Sequence, residues 1–84
     1  MYYVYVLQSK KDNNIYIGYS EDLKRRFTEH NLGKVKSTRY RIPFELVYYE
    51  AYKNKKDATK REYFLKTHQQ RDLLKERIKN SLKH

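Results

Sequence analysis

The apolar positions come first as an unbroken run and only later with a period. Tyr2-Tyr3-Val4-Tyr5-Val6-Leu7-Gln8 is β-branched and aromatic throughout, which predicts a buried strand. Lys10-Lys11-Asp12-Asn13-Asn14 is polar and rich in turn formers, and Ile15-Tyr16-Ile17-Gly18-Tyr19 returns to strand character. Two such runs joined by such a segment predict an antiparallel hairpin.

The period then changes. Ser20 stands at an N-cap position with Glu21 and Asp22 behind it, where a helix dipole favours negative charge. Leu23, Phe27 and Asn31 follow at i, i+4 and i+8, and Gly33 is a natural stop, so a helix is predicted over 21–32. Its apolar stripe is thin, as if one flank covered something polar. A basic loop over 34–43 ends at Pro43. Phe44 to Tyr52 predicts a third strand, with Leu46 and Tyr48 on one face and Val47 and Tyr49 on the other, a two-sided pattern that suits a central position. Asn54 can cap a second helix over roughly 55–67 with Ala58, Phe64 and Leu65 inward. Residues 70–82 predict a third helix on Leu74, Ile78 and Leu82, with Leu73 beside them. The expected fold class is α+β, a three-stranded antiparallel sheet flanked by helices in the order β-β-α-β-α-α.

Eighty-four residues leave room for one domain over 1–84, and ten tyrosines with three phenylalanines supply the area its small core needs. There is no cysteine, which excludes a disulfide framework and a thiolate zinc site. The first apolar run is too short for a secretory leader or a bilayer crossing, so a cytoplasmic location without membrane association is expected.

Charge adds the first functional direction. Twenty Lys and Arg oppose ten Asp and Glu, a net charge of +10. Within 24–41, Lys24, Arg25, Arg26, Lys34, Lys36, Arg39 and Arg41 face only Glu29, and the stretch 53–84 is basic as well. Clustered positive charge suits a polyphosphate partner, through Coulomb attraction and counterion release. A solvated basic surface would read the same way, so charge alone leaves catalysis undecided.

Three features resist a packing explanation. Glu62 falls on the inner stripe of the second helix, four residues after Ala58 and three before Leu65, where a carboxylate needs a partner or a metal. Arg26 and His30 lie one helical turn apart and reach one patch. Tyr3 and Tyr5 share a strand face, and Tyr16 can lie near Tyr5 across the hairpin. Each has an ordinary alternative: Glu62 pairing with Arg61 or Lys66, Arg26 and His30 as surface residues, the tyrosines as half-buried packing. Together they suit phosphodiester hydrolysis. A carboxylate can hold a hard divalent cation, a guanidinium matches phosphate oxygens, and a tyrosine beside cations can lose its proton and activate water. His30 could orient that tyrosine or relay a proton.

These residues resemble the GIY-YIG nuclease superfamily, in particular its small stand-alone bacterial members. Tyr3-Val4-Tyr5 stands where the first motif would be, and Tyr16-Ile17-Gly18 matches the second in full. Arg26 and His30 follow within Asp22 to Asn31, and Lys60 to Lys66 looks like the later helix with the metal-binding glutamate. Ser37-Thr38-Arg39 and Pro43 to Glu50 also look like the middle of the stand-alone proteins. The resemblance implies Tyr5 as general base, Tyr16 as its partner orienting water or phosphate, Arg26 as the phosphate-binding cation, His30 as an auxiliary, and Glu62 as ligand to Mg²⁺ or Mn²⁺. Gly18, Lys36, Thr38 and Arg39 are the candidate nucleic-acid-binding residues, the last three on the basic loop. Tyr3 replaces the first motif's glycine. The polar residue that supports the metal end in some relatives has only Asn80 as a candidate.

The leading expectation is therefore a divalent-metal-dependent endonuclease on DNA, selective for structure, with RNA the alternative substrate. A second is a basic nucleic-acid-binding module on the same fold with little or no turnover. A third is a general interaction protein on structured RNA, which would leave the tyrosines exposed for stacking.

Overall fold

A computed structural model describes all residues, 1–84. Strands β1 (Tyr2–Ser9), β2 (Ile15–Ser20) and β3 (Phe44–Tyr52) form an antiparallel sheet ordered β2-β1-β3. Helix α1 (Leu23–Asn31) lies over one face, and α2 (Lys55–Leu65) and α3 (His68–Arg77) over the other. The predicted class and element order hold.

Strand β1, not β3, is central. Residues 4–9 are buried without interruption, and the alternation divides them between two cores. Val4 and Val6 join Ile15, Ile17, Ala58, Leu65, Leu74 and Ile78 under α2 and α3. Tyr5 and Leu7 join Phe44 under α1, with Leu23, Phe27 and Leu46 packed around them. Strand β3 is an edge, and its two-sided apolar pattern has a different cause. The pairing with β1 slips between Val6, opposite Tyr48, and Leu7, opposite Leu46, which makes Val47 the extra residue of a bulge. Beyond that break Val47 and Tyr48 pack on the same core, while Leu46 packs on the other.

Local chemistry sets the element ends. The β1–β2 turn needs one left-handed residue, and Asn13 takes it with φ 62°. Helix α1 begins two residues later than predicted. Ser20 spends its hydroxyl on the turn itself, accepting from the Asp22 N–H and donating to the Asp22 carbonyl, each at 3.0 Å. Asp22 is the cap instead, accepting the Arg25 N–H at 3.1 Å. At the far end the Asn31 amide clamps Phe44, donating to its carbonyl and accepting its N–H, so the thin stripe's polar member docks α1 on β3. Asn54 caps α2 through the Lys56 N–H, as expected.

On α2, Arg61 makes a two-pronged pair with Glu50 of β3, and Glu50 also accepts from the Tyr48 and Tyr52 hydroxyls. That anchor turns Phe64 partly outward, 43% exposed beneath the Arg61 guanidinium, rather than into the core. The last helix starts at His68 and ends at Arg77, with a 3-10 turn at Lys79–Ser81 that leaves Asn80 exposed. Leu74, Ile78 and Leu82 of this stretch pack on the core as expected, whereas Leu73 is exposed. No helix is long and apolar enough to cross a membrane.

Candidate active site

Five residues from separate stretches were expected to converge, and the sheet brings four of them together. Tyr5 sits mid-β1 opposite Gly18 of β2. Its ring turns sideways across that glycine: a Cβ at position 18 would overlap the Tyr5 Cζ and Oη atoms. The absence of a side chain there lets the phenol cross β2 and place its hydroxyl under α1. Gly18 is thus buried beneath the ring instead of facing a nucleic acid.

From α1, His30 points straight down. It is fully buried, and its Nε2 lies 2.8 Å from the Tyr5 hydroxyl. The Tyr16 ring packs edge-on against His30 at 5.1 Å between centroids and lies 6.4 Å from the Tyr5 ring. Arg26, one turn earlier, stands beside the Tyr5 hydroxyl with its side chain 38% exposed, and pairs with Glu29 at 3.4 Å. Tyr5 is 1% exposed and Tyr16 half-buried, so the phenols are clustered, not displayed for base stacking.

The electrostatics follow from burial. Tyr5 is pushed up to about 12, chiefly because burial disfavours a phenolate; Arg26 pulls the other way and Glu62 adds to the rise. Free Tyr5 therefore carries its proton at neutral pH. For Arg26, burial works against the cation, but Tyr5 and Glu29 more than offset it and the guanidinium holds its proton more firmly than usual. His30 is lowered to about 4, first by burial and then by the Arg26 charge, with Glu29 opposing. It is neutral at pH 7.

The His30 shift has a consequence for stability. Between about pH 6.5 and pH 4 the unfolded chain takes up a proton that folded His30 refuses, so stability falls as pH falls through that window. Wild type is expected to lose on the order of 2–3 kcal/mol more than a His30→Gln variant between pH 7 and pH 4. Urea titrations at both pH values read this directly. Identical pH dependence in the two proteins would contradict a buried neutral imidazole.

Glu62 occupies the opposite side of the sheet, on α2. Its side chain is 22% exposed and pairs with Lys66 at 2.9 Å. Of the two partners open from the sequence, Arg61 is unavailable because Glu50 holds it. The Glu62 charge is still felt at the Tyr5 and Tyr19 hydroxyls. Tyr19 was not singled out by its sequence position. Its hydroxyl is buried and without a hydrogen-bond partner. No group of three or more His, Asp or Glu side chains gathers as a metal cage. The Glu62 carboxylate is a hard oxygen donor of the kind that suits Mg²⁺ or Mn²⁺ with most positions left to water and phosphate.

Loop residues 34–41 divide. Lys36 and Arg39 are exposed, the Arg39 guanidinium lying over the Tyr40 ring at 4.9 Å. Thr38, expected on this loop as a backbone contact, is instead 1% exposed, and its Oγ1 lies 2.8 Å from His30 Nδ1. None of the surface grooves is lined by Tyr5, Tyr16, Arg26, His30 or Glu62. One of about 490 Å³ on the other flank of α1, between Phe27, Tyr3 and Tyr49, is rimmed by Glu21, Asp22 and Lys24. Arg26 and Tyr16 are the members of the cluster open to solvent.

Known proteins are similar to this chain in sequence and fold. The family model described as the GIY-YIG catalytic domain matches residues 1–78. A UPF0213 protein of Staphylococcus epidermidis is 43% identical over 75 residues, 88% of this chain and 90% of that protein. One from Clostridium perfringens is 45% identical over 67 residues, covering 79% and 71%. The solution structure of a UPF0213 protein from Bacillus halodurans superposes with a TM-score of 0.56 at 40% identity, covering 88% of this chain and 82% of that one. Sequence match and fold agree: the chain belongs to the GIY-YIG family of nuclease domains, among its UPF0213 members.

Proposed function

We propose that this chain is a divalent-metal-dependent endonuclease hydrolysing phosphodiester bonds in DNA, with selectivity for the shape of the substrate. The observation that carries the reading is the Tyr5–His30 hydrogen bond at 2.8 Å, set beside a guanidinium and placed over a glycine that exists to admit it. A binding surface has no use for a buried phenol, a neutral imidazole and a cation arranged in series.

In this reading Arg26 takes the scissile phosphate, its planar fork matching two non-bridging oxygens. Glu62 would hold the divalent ion, which would supply positive charge for the phosphate and the departing oxygen. Glu62 exchanges its Lys66 partner to do so. The Tyr5 proton moves to His30 Nε2, the acceptor within hydrogen-bonding distance, whose low proton affinity in the free protein rises as bound phosphate offsets the neighbouring Arg26 charge. The phenolate then takes a proton from water, whose oxygen bonds to phosphorus as the bond to the leaving oxygen breaks. The leaving oxygen takes a proton from solvent. Burial keeps the free Tyr5 protonated, so this base forms only when cationic charge is brought to it with substrate. Tyr16, packed on His30 and half-exposed, orients the water.

The test is incubation with plasmid, single-stranded and branched DNA in Mg²⁺ or Mn²⁺. Wild type is expected to cleave at least one of these, and a metal chelator to stop it. Glu62→Ala is expected to lose about a hundredfold or more in rate while still binding DNA, because only the metal's share of charge stabilisation is removed. A wild type inert on every substrate and metal would establish the alternative, a basic binding module on this fold.

A further inference from the structure

Resting on the hydrolytic reading, we infer that Thr38 is a positioning residue of the site, fixing which nitrogen of His30 is free to receive the Tyr5 proton. His30 has no access to water, so each ring nitrogen must be satisfied by what it touches, and it touches one group at each end: Tyr5 Oη at Nε2 and Thr38 Oγ1 at Nδ1, both at 2.8 Å. Thr38 is itself 1% exposed, and its hydroxyl faces a second acceptor, the Val35 carbonyl, at 3.4 Å.

A carbonyl can only accept. The Thr38 proton therefore goes to Val35, and the Thr38 oxygen accepts from His30 Nδ1–H. A neutral imidazole protonated at Nδ1 is bare at Nε2, so Nε2 accepts from the Tyr5 O–H. This assignment leaves no donor facing a donor and keeps the Thr38 proton on the Val35 carbonyl, which the opposite tautomer cannot do. The opposite tautomer would place N–H against Tyr5, block the proton's exit from the phenol, and oblige Thr38 to abandon the carbonyl. The anchor is built into the local fold. The backbone N–H groups of Thr38 and Arg39 both return to the Val35 carbonyl, at 3.1 and 3.0 Å, so one buried turn sets the hydroxyl and its acceptor together. Thr38 touches no reacting atom; it acts through His30.

Long-range ¹H–¹⁵N spectra of the His30 ring in the metal-free full chain test this without any turnover. Wild type and Thr38→Ser are expected to show Nδ1 protonated and Nε2 bare. In Thr38→Val, which keeps the shape and removes the acceptor, the proton is expected to move to Nε2, and cleavage to fall about a hundredfold with Thr38→Ser close to wild type. Nε2 protonated in wild type overturns the inference, as does a folded Thr38→Val protein that keeps its proton on Nδ1. Should Thr38→Val fail to fold, the wild-type spectrum still decides. A wild type with Nδ1 protonated that cuts no nucleic acid supports the Thr38 assignment and overturns hydrolysis; one that cuts with Nε2 protonated does the reverse.

Discussion

Replacing Arg26 with alanine is expected to lower the rate of DNA cleavage by about 10²–10³-fold while leaving the fold nearly as stable as before. The two halves of that expectation have separate causes. Stability is spared because the Arg26 side chain is 38% exposed and its partner Glu29 is one turn away on the same helix, an arrangement that contributes little in water. Activity is not spared, because the same group does two things at the site. It offers the planar fork for the phosphate, and it is the cation that favours the Tyr5 phenolate against the burial that, even so, pushes the phenol up to about 12. Removing it withdraws a charge-stabilising donor from the phosphate in the transition state, a loss that typically has the quoted size. Arg26→Lys should recover part of the loss, since an ammonium restores the charge but not the fork. Single-turnover rates with saturating protein read the chemical step. Cleavage by Arg26→Ala within a few-fold of wild type would remove Arg26 from the mechanism.

The second large effect is expected at a residue with no side chain. Gly18→Ala places a methyl group where the Tyr5 ring now lies, overlapping its Cζ and Oη atoms. The ring cannot simply slide, because Leu7, Phe44 and His30 pack around it. Either the strands part or Tyr5 swings off β2 and gives up His30. Overpacking of this kind costs about 1–3 kcal/mol, so the variant should fold with reduced stability in a denaturant titration. Its cleavage should fall much further than its stability, by at least about a hundredfold, because the displaced atom is the proposed base itself. Wild-type cleavage in a folded Gly18→Ala protein would mean that Tyr5 need not lie across β2, and the relay to His30 would lose its basis.

The two substitutions separate what the site needs. Arg26→Ala keeps the buried phenol in place and removes charge; Gly18→Ala keeps the charge and moves the phenol. A protein that only binds DNA would tolerate the second and lose modest, salt-dependent affinity from the first.

Much of the architecture was legible in the linear chain. A run as uniformly apolar as Tyr2 to Leu7 has to be buried. A period that changes from continuous to i, i+4, i+8 after Ser20 has to be a helix, and the spacing from Tyr5 through Glu62 was enough to identify the family. Those properties are local, or they are patterns that any folded form of this chain must satisfy. What depends on pairing was not legible. That β1 and not β3 is central, that a bulge at Val47 breaks an alternation that looked regular, and that Arg61 belongs to Glu50 and so leaves Glu62 to Lys66, follow from which strands and helices meet. Thr38 is the clearest case. A threonine among basic loop residues reads as a surface contact, and only the closing of that loop over α1 buries its hydroxyl against an imidazole eight residues back. The sequence by itself determined which chemical groups this protein has to work with and which segments must be helix or strand. Tertiary structure decided the environment of each group, and a phenol or an imidazole takes its protonation and its role from what surrounds it.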